Sequence, residues 1–192
     1  MTMLIKTLAV VAVGTALATS AFAQKAPVPQ QADTQAAPIY GVKLPPGYRD
    51  WALISVARVG APLNDMRAKL GNPVAIRAYR EGRTPFPDGT IIARLAYHQA
   101  TSEENNNAVR ALLERQFGPE ATQRLLAESF VAGPPTNVQF MVKDSKKYAS
   151  TGGWGFAQFT NGKPDGEAVH QTCFSCHEPA KDRDFVFTRY SP

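Results

Sequence analysis

TIIARLAYH at residues 90–98 and NVQFMVK at residues 137–143 are the two stretches that decide the fold. Both are rich in β-branched or aromatic residues and alternate in polarity, which is the pattern of β-strands. Since successive side chains of a strand point to opposite faces, each stretch has one face of mixed polarity. The two mixed faces consist of Ile92, Arg94, Ala96 and His98 in the first strand and of Asn137, Gln139, Met141 and Lys143 in the second. These mixed faces predict either a solvent-exposed surface or the lining of a polar pocket. The opposite face of the second strand is apolar, and we expect it to be buried in the hydrophobic core.

Further strands and helices are predicted on either side of these stretches. β-Branched and aromatic runs predict strands at residues 48–59 and 154–160, and the glycines and prolines of residues 60–73 predict a loop. Helix-start signals and breakers predict a short helix that begins at Pro73, two helices within a helical insert at residues 100–135, and a C-terminal helix from about Glu167. This order of elements predicts an α+β fold with an antiparallel sheet and peripheral helices.

The N-terminus has the features of an export signal. Lys6 precedes an uncharged apolar stretch, and Ala21-Phe22-Ala23 forms the small-x-small pattern that signal peptidase cleaves. The prediction is a signal peptide over residues 1–23, a flexible Pro/Gln/Ala-rich leader over 24–39 and one domain over 40–192. A retained membrane anchor is the alternative, but the apolar stretch is shorter than the roughly 20 residues that a spanning helix needs. We therefore expect a periplasmic protein with no membrane span after cleavage.

The charge balance is mildly basic. The formal net charge is +5, and loss of Lys6 with the signal reduces it to +4. The basic residues are scattered rather than clustered, so the sequence does not predict nucleic-acid binding. A basic surface could help docking to an acidic redox partner in the periplasm, but solvated surface charge is the simpler interpretation.

The two cysteines of the chain lie in the segment Cys173-Phe174-Ser175-Cys176-His177, which has the C-x-x-C-H pattern of covalent haem attachment. On one helical turn both thiols face the same way and can form thioether bonds to the two vinyl groups of a haem, and the adjacent histidine can bind the iron. The sequence therefore predicts one haem c per chain, attached through Cys173 and Cys176, with His177 as the metal ligand.

Other interpretations of this motif explain it less well. A structural zinc site needs about four ligands, a thioredoxin-like cysteine pair follows a strand in a βαβ unit, and a plain disulfide leaves the adjacent histidine unexplained. Four residues of the mature chain are candidates for a sixth iron ligand: Met66, His98, Met141 and His170. Each of these residue types is more often a core or surface residue than a ligand.

Several further segments, in the right order along residues 40–192, resemble the cytochrome P-460 family, which includes the β-type cytochromes c′. The matching segments are LPPGYRDW at 44–51, FPDGT at 86–90, VKDSKKYA at 142–149, WGF at 154–156 and DFVFTRY at 184–190. Residues 100–135 do not match well and are interpreted as a helical insert of this branch. The resemblance implies a β-sheet-rich haem domain, commonly a homodimer, with an open distal side of the haem.

Two positions depart from the pattern of the hydroxylamine-oxidising members. Those members carry a lysine that is cross-linked to the haem ring and a distal glutamate that handles protons, and the resemblance places Arg94 and Gln139 at these positions. A guanidinium stays protonated and is a poor nucleophile, and an amide cannot act as a general base. The resemblance with these departures implies an uncross-linked haem and a polar pocket in which Arg94 and Gln139 hydrogen-bond a small ligand. Lys69 or Lys143 could replace the missing lysine, although no pattern in the sequence favours either.

Three functions are compatible with these residues. The preferred expectation is a five-coordinate haem c that binds nitric oxide or a similar small diatomic or nitrogen-oxide ligand. An electron-transfer cytochrome with a six-coordinate haem is the second. An oxidoreductase acting on hydroxylamine or a related small nitrogen compound is the third, and it is disfavoured by Arg94 and Gln139.

Overall fold

One antiparallel sheet organises residues 35–191, the part of the chain that the computed structural model describes. Its six strands are hydrogen-bonded in chain order. The strands are β1 (Ala52–Val59), β2 (Asp65–Gly71), β3 (Ile91–Ala100), β4 (Val131–Lys143), β5 (Trp154–Thr160) and β6 (Lys163–Pro164). The antiparallel sheet with peripheral helices confirms the predicted α+β class.

Five α-helices flank this sheet, and their ends follow from local sequence. The helices are α1 (Pro73–Arg80), α2 (Glu103–Phe117), α3 (Pro119–Ala127), α4 (Glu167–Gln171) and α5 (Cys173–His177). Helix α1 begins where the Asn72 side chain accepts a hydrogen bond from the Ala75 N–H and Pro73 occupies the first turn. Helix α2 is capped in the same way by Ser102, and it ends at Gly118, whose φ of 80° favours glycine.

A row of four polar side chains crosses one face of the sheet. The register pairs Lys69 with Arg94, Arg94 with Gln139, and Gln139 with Gln158. Directly opposed residues of antiparallel strands share a face and lie close together. These four residues, called the polar row below, therefore form a continuous band across β2, β3, β4 and β5.

Apolar side chains form a core on each face of the sheet. On the face away from the polar row, Ala93, Phe140 and Phe159 are almost fully buried, which confirms the core face predicted for residues 137–143. On the face that carries the polar row, Ile92, Met141 and Phe156 form a second apolar cluster beside it. Of the mixed faces predicted from the sequence, Ile92, Ala96 and Met141 are buried in the core, and Arg94 and Gln139 belong to the polar row. Lys143 is also buried, Asn137 is partly buried, and His98 is exposed.

Four predicted elements differ from the structure. The strand predicted at residues 48–59 begins only at Ala52, because Tyr48–Asp50 forms a 3-10 helix. The loop predicted at residues 60–73 is wrong, because Asp65–Gly71 forms β2. Strand β4 begins at Val131, so residues 131–135 of the predicted insert extend the sheet, and its two helices end at Ala127. The pairing of β3 with β4 shifts register between Ala96 and Gln99, where Tyr97 lies opposite Pro135. The C-terminal helix is divided into α4 and α5 at Thr172.

The predicted signal peptide at residues 1–23 and residues 24–34 of the predicted leader lie outside the described residues. Ala37 is buried in the core, and its N–H donates to the Val42 carbonyl at 2.8 Å. The folded domain therefore begins a few residues before the predicted boundary at residue 40. Within the described chain, no helix has the length and apolarity that a membrane crossing requires.

Candidate haem site

The cysteines and the histidine of the C-x-x-C-H motif border two adjoining cavities beside the sheet. Cys176 and His177 line a cavity of about 450 Å³, whose lining also includes Arg94 and Gln139. Cys173 joins them in a smaller neighbouring cavity of about 160 Å³, which also reaches Gln139. Helix α5 holds all three motif residues within one short segment, and both cysteines are free. The structure therefore brings the motif and the two predicted pocket residues together.

His177 is held in one orientation by a backbone acceptor. Its Nδ1 lies 2.8 Å from the Phe185 carbonyl oxygen, so Nδ1 donates to that oxygen and the lone pair of Nε2 stays free. The rings of Phe156 and Phe187 lie 5.1 and 5.5 Å from the imidazole. Burial lowers the pKa of His177, and the charge of Arg94 lowers it further, against the opposing effect of the Phe185 hydrogen bond. A neutral imidazole with a fixed donor at Nδ1 is the form that binds a metal ion through Nε2.

Arg94 and Gln139 of the polar row line the large cavity, whereas Gln158 lines the smaller one. Arg94 donates from Nη2 to Asn137 Oδ1 at 3.1 Å, while its buried Nε has no hydrogen-bond partner. Gln139 donates from Nε2 to Gln158 Oε1, and Gln158 donates in turn to Asp165. Sequence reasoning missed Gln158 because its role depends on the register between β4 and β5.

Two further basic side chains lie on the wall of the large cavity. Lys69 and Arg67 of β2 both line the large cavity. Arg67 is paired with Asp65 at 2.8 Å. Burial lowers the pKa of Lys69, and the charges of Arg67 and Arg94 lower it further. Burial likewise lowers the pKa of Arg94 to about 10, which leaves it charged at neutral pH.

A buried ion pair fixes the segment that supplies the Phe185 carbonyl. Lys143 Nζ lies 2.6 Å from Asp184 Oδ1 and also donates to the Gly152 carbonyl at 3.0 Å. The other oxygen of Asp184 accepts the Phe86 N–H at 2.8 Å. Lys143 is therefore committed to this pair and does not line the cavity, whereas Lys69 does. The pair was not foreseen because its partners are 41 residues apart.

The four candidates for a sixth iron ligand occupy different places. Met66 lies beside Arg67 in β2, so alternation turns it to the face away from the cavity, and His98 is exposed. His170 is fully buried, with Nε2 accepting the Gln158 N–H and Nδ1 bonded to the Gly166 carbonyl. Met141 alone among the four lines the large cavity, where it belongs to the apolar cluster with Ile92.

The family comparison agrees with this arrangement. The family model described as Cytochrome P460 matches residues 45–188, which is three quarters of the chain. The chain belongs to the cytochrome P460 family. No match was found among curated proteins. The predicted resemblance is thus confirmed, and it identifies this P460 protein as a haem cytochrome.

The residues of this P460 protein fit the haem that its family implies. A cavity of about 450 Å³ is in the range of cofactor sites. It brings together a histidine with Nε2 free, a thiol at its border, and the unpartnered Nε of Arg94. The zinc alternative lacks a ligand set, because residues 35–191 contain no group of three or more Cys, His, Asp or Glu placed for a metal ion.

Proposed function

We propose that this chain is an exported mono-haem c-type cytochrome that binds nitric oxide or a similar small ligand on an open side of its haem. Cys173 and Cys176 form thioethers by addition of their thiols to the haem vinyl groups, and His177 Nε2 binds the iron. Export follows from the signal peptide predicted at residues 1–23, which also places haem attachment in the periplasm.

The observation that carries the proposal is the shared cavity of about 450 Å³. Its lining includes His177, Arg94 and Gln139. Both polar groups can donate hydrogen bonds toward a ligand on the iron: Arg94 has further N–H groups besides the one given to Asn137, and Gln139 carries an amide. The haem supplies the iron that holds the ligand, and the protein supplies orientation and polarity around it.

We also propose that the haem is not cross-linked to the protein through its ring. Arg94 occupies the position of the family's cross-linking lysine, and a guanidinium is a poor nucleophile. Lys143 is bound to Asp184. Lys69 is the lysine to test, because it lines the cavity directly opposite Arg94 in the register. Hydroxylamine oxidation is disfavoured for the same reason, together with the absence of a carboxylate at position 139.

Electron transfer is the second candidate, and one observation favours it. Met141 lines the cavity and carries a thioether that can ligate haem iron. We rank it second because Met141 is 9 % exposed and packs within the apolar cluster of Ile92 and Phe156. Replacing Met141 with leucine separates the two candidates, since leucine keeps the volume and cannot bind iron.

The test is an absorption spectrum of the ferrous protein, produced in a host with the c-haem maturation machinery. The proposal predicts an ordinary five-coordinate c-haem spectrum, rapid nitric oxide binding, and the same spectrum for Met141→Leu. A low-spin spectrum that Met141→Leu abolishes would replace ligand binding with electron transfer. A broad, strongly red-shifted Soret band that Lys69→Arg abolishes would show a ring bond to Lys69 and would contradict the uncross-linked haem.

A further inference from the structure

The wall of the large cavity has an excess of positive charge. Arg67, Lys69 and Arg94 line it, and no carboxylate does so among the described residues. Asp65 neutralises Arg67 from beside the cavity. In the described part of the chain, no carboxylate lies within salt-bridge distance of Lys69 or Arg94. Lys69 and Arg94 therefore have no ion-pair partner on this wall, although the more distant charge of Asp65 offsets part of theirs.

These two cations are immediate neighbours. Lys69 and Arg94 are directly opposed in the β2–β3 register, where like charges destabilise a sheet. Both side chains are partly buried, so water screens their repulsion less than on an open surface. An arrangement of this kind is stabilised when an anion lies between the two groups.

Arg94 also has an unused donor. Its Nε is buried without a partner, although a buried N–H that lacks an acceptor costs free energy. Asn137 fixes the other end of the guanidinium through Nη2. The fixed side chain therefore keeps an N–H group unsatisfied at the edge of a cavity, where an acceptor from a ligand would satisfy it.

Arg94 shares its cavity with the proposed iron ligand. Arg94 and His177 both belong to the lining of this cavity. Gln139, the next member of the polar row, lines the same cavity and adds an amide group. The cationic pair and the amide thus border the space next to the proposed proximal histidine.

We propose that Lys69 and Arg94 form a binding site for a small inorganic anion, such as nitrite, on the sheet side of the haem. The inference rests on the proposed function, since it requires an open coordination position on the iron. The inference adds a class of ligand to that function. The ferrous protein binds neutral ligands, and the ferric protein also binds small anions, which it selects by their charge. Gln139 contributes a hydrogen bond beside the two cations.

The carboxylates of the haem itself are the other source of negative charge for these cations. The chemistry is the same, an oxyanion between Lys69 and Arg94, but the consequences differ. A site filled by the haem carboxylates has no free charge for an added anion, so neutralising Lys69 would change the reduction potential and leave anion affinity unchanged.

The experiment is a titration of the ferric holoprotein with nitrite and with azide, followed in the Soret band. Lys69→Met and Arg94→Gln each remove one charge, and we expect each to weaken both anions about tenfold or more, the size of one charge-assisted hydrogen bond. Lys69→Arg keeps the charge and should retain most of the affinity. Lys163→Met is the matched control, because Lys163 is an exposed lysine of β6 outside the cavity lining.

Carbon monoxide binding to the ferrous forms of the same proteins separates the possible failures. Anion affinities of Lys69→Met and Arg94→Gln that stay within twofold of the Lys163→Met value would overturn the anion site. If these variants nevertheless bind carbon monoxide normally, the anion site is overturned but the proposed function is not. A wild-type protein that binds neither anions nor carbon monoxide would overturn both proposals, because its iron has no open position.

Discussion

Breaking the ion pair between Lys143 and Asp184 is the sharpest test of how the C-terminal segment is held against the sheet. The perturbation is Lys143→Met, which keeps most of the length of the side chain and removes its charge. The side chains of the pair are only 6 % and 7 % exposed, and 2.6 Å separates Lys143 Nζ from Asp184 Oδ1. The variant therefore leaves a carboxylate without its counterion inside the protein.

The expected cost is about 3 kcal/mol in the free energy of unfolding. Removing one partner of a buried pair costs roughly 3–5 kcal/mol. The lower end applies here because Asp184 keeps the hydrogen bond from the Phe86 N–H. An exposed pair provides the scale for comparison: Arg124 and Glu120 lie one helical turn apart with side chains 67 % and 88 % exposed. Removing Arg124 should cost about 0.3–0.5 kcal/mol, which is usual for such helix pairs.

Urea unfolding of the holoprotein, followed by circular dichroism, measures both variants under the same conditions. Asp184→Asn and the double variant complete a double-mutant cycle, whose coupling energy isolates the pair from its neighbours. If Lys143→Met loses no more stability than Arg124→Met, the pair does not anchor the segment and the reasoning is refuted. If stability falls as expected, the variant should also bind the haem iron less firmly through His177, because Phe185 follows Asp184 directly.

Three further predictions extend the account. Met141→Leu should leave the ferrous spectrum unchanged. It should lower the free energy of unfolding by less than about 1.5 kcal/mol, since the two side chains have similar volumes. Loss of a low-spin band from the optical spectrum would contradict the expected spectrum. Arg94→Gln removes a charge that lowers the pKa of the proximal histidine His177. Acid should therefore displace this histidine from the iron at a higher pH than in the wild type. An unshifted or lower midpoint in an optical acid titration would contradict this prediction. Gly155→Ala places a Cβ 2.3 Å from the Tyr148 ring and should cost about 1–3 kcal/mol in urea unfolding, whereas Gly60→Ala, with open space around the new Cβ, should be close to neutral.

The sequence was sufficient for the strands that are rich in β-branched or aromatic residues. Residues 90–98 and 154–160 have that composition and form β3 and β5 almost as predicted. Strand β2 was missed because its sequence, DMRAKLG, alternates in polarity but contains no β-branched or aromatic residue and lies between glycines and prolines. Its polar residues Arg67 and Lys69 line the cavity of the candidate site. Pairing with β1 and β3 on both sides supplies the stability that local propensity does not.

The candidate site was predictable only in part. The C-x-x-C-H motif is a local pattern, so Cys173, Cys176 and His177 could be identified without a fold. Arg94 and Gln139 came from the family resemblance, and the structure places both on the cavity wall.

The remaining features of the site depend on contacts between distant segments. The acceptor for His177 is a backbone carbonyl, which every residue possesses, so no residue type in the sequence marks Phe185. The cationic pair of Lys69 and Arg94 depends on a strand register that becomes visible only once β2 is recognised.

Covalent attachment of one haem through the C-x-x-C-H motif is the central claim, and the intact mass of the denatured holoprotein tests it most directly. The account predicts one species whose mass equals the chain from Gln24 onward plus a single haem, and loss of that haem in a Cys173→Ser, Cys176→Ser double variant. A wild-type polypeptide that releases its haem on denaturation, or that never carries one, would contradict the account.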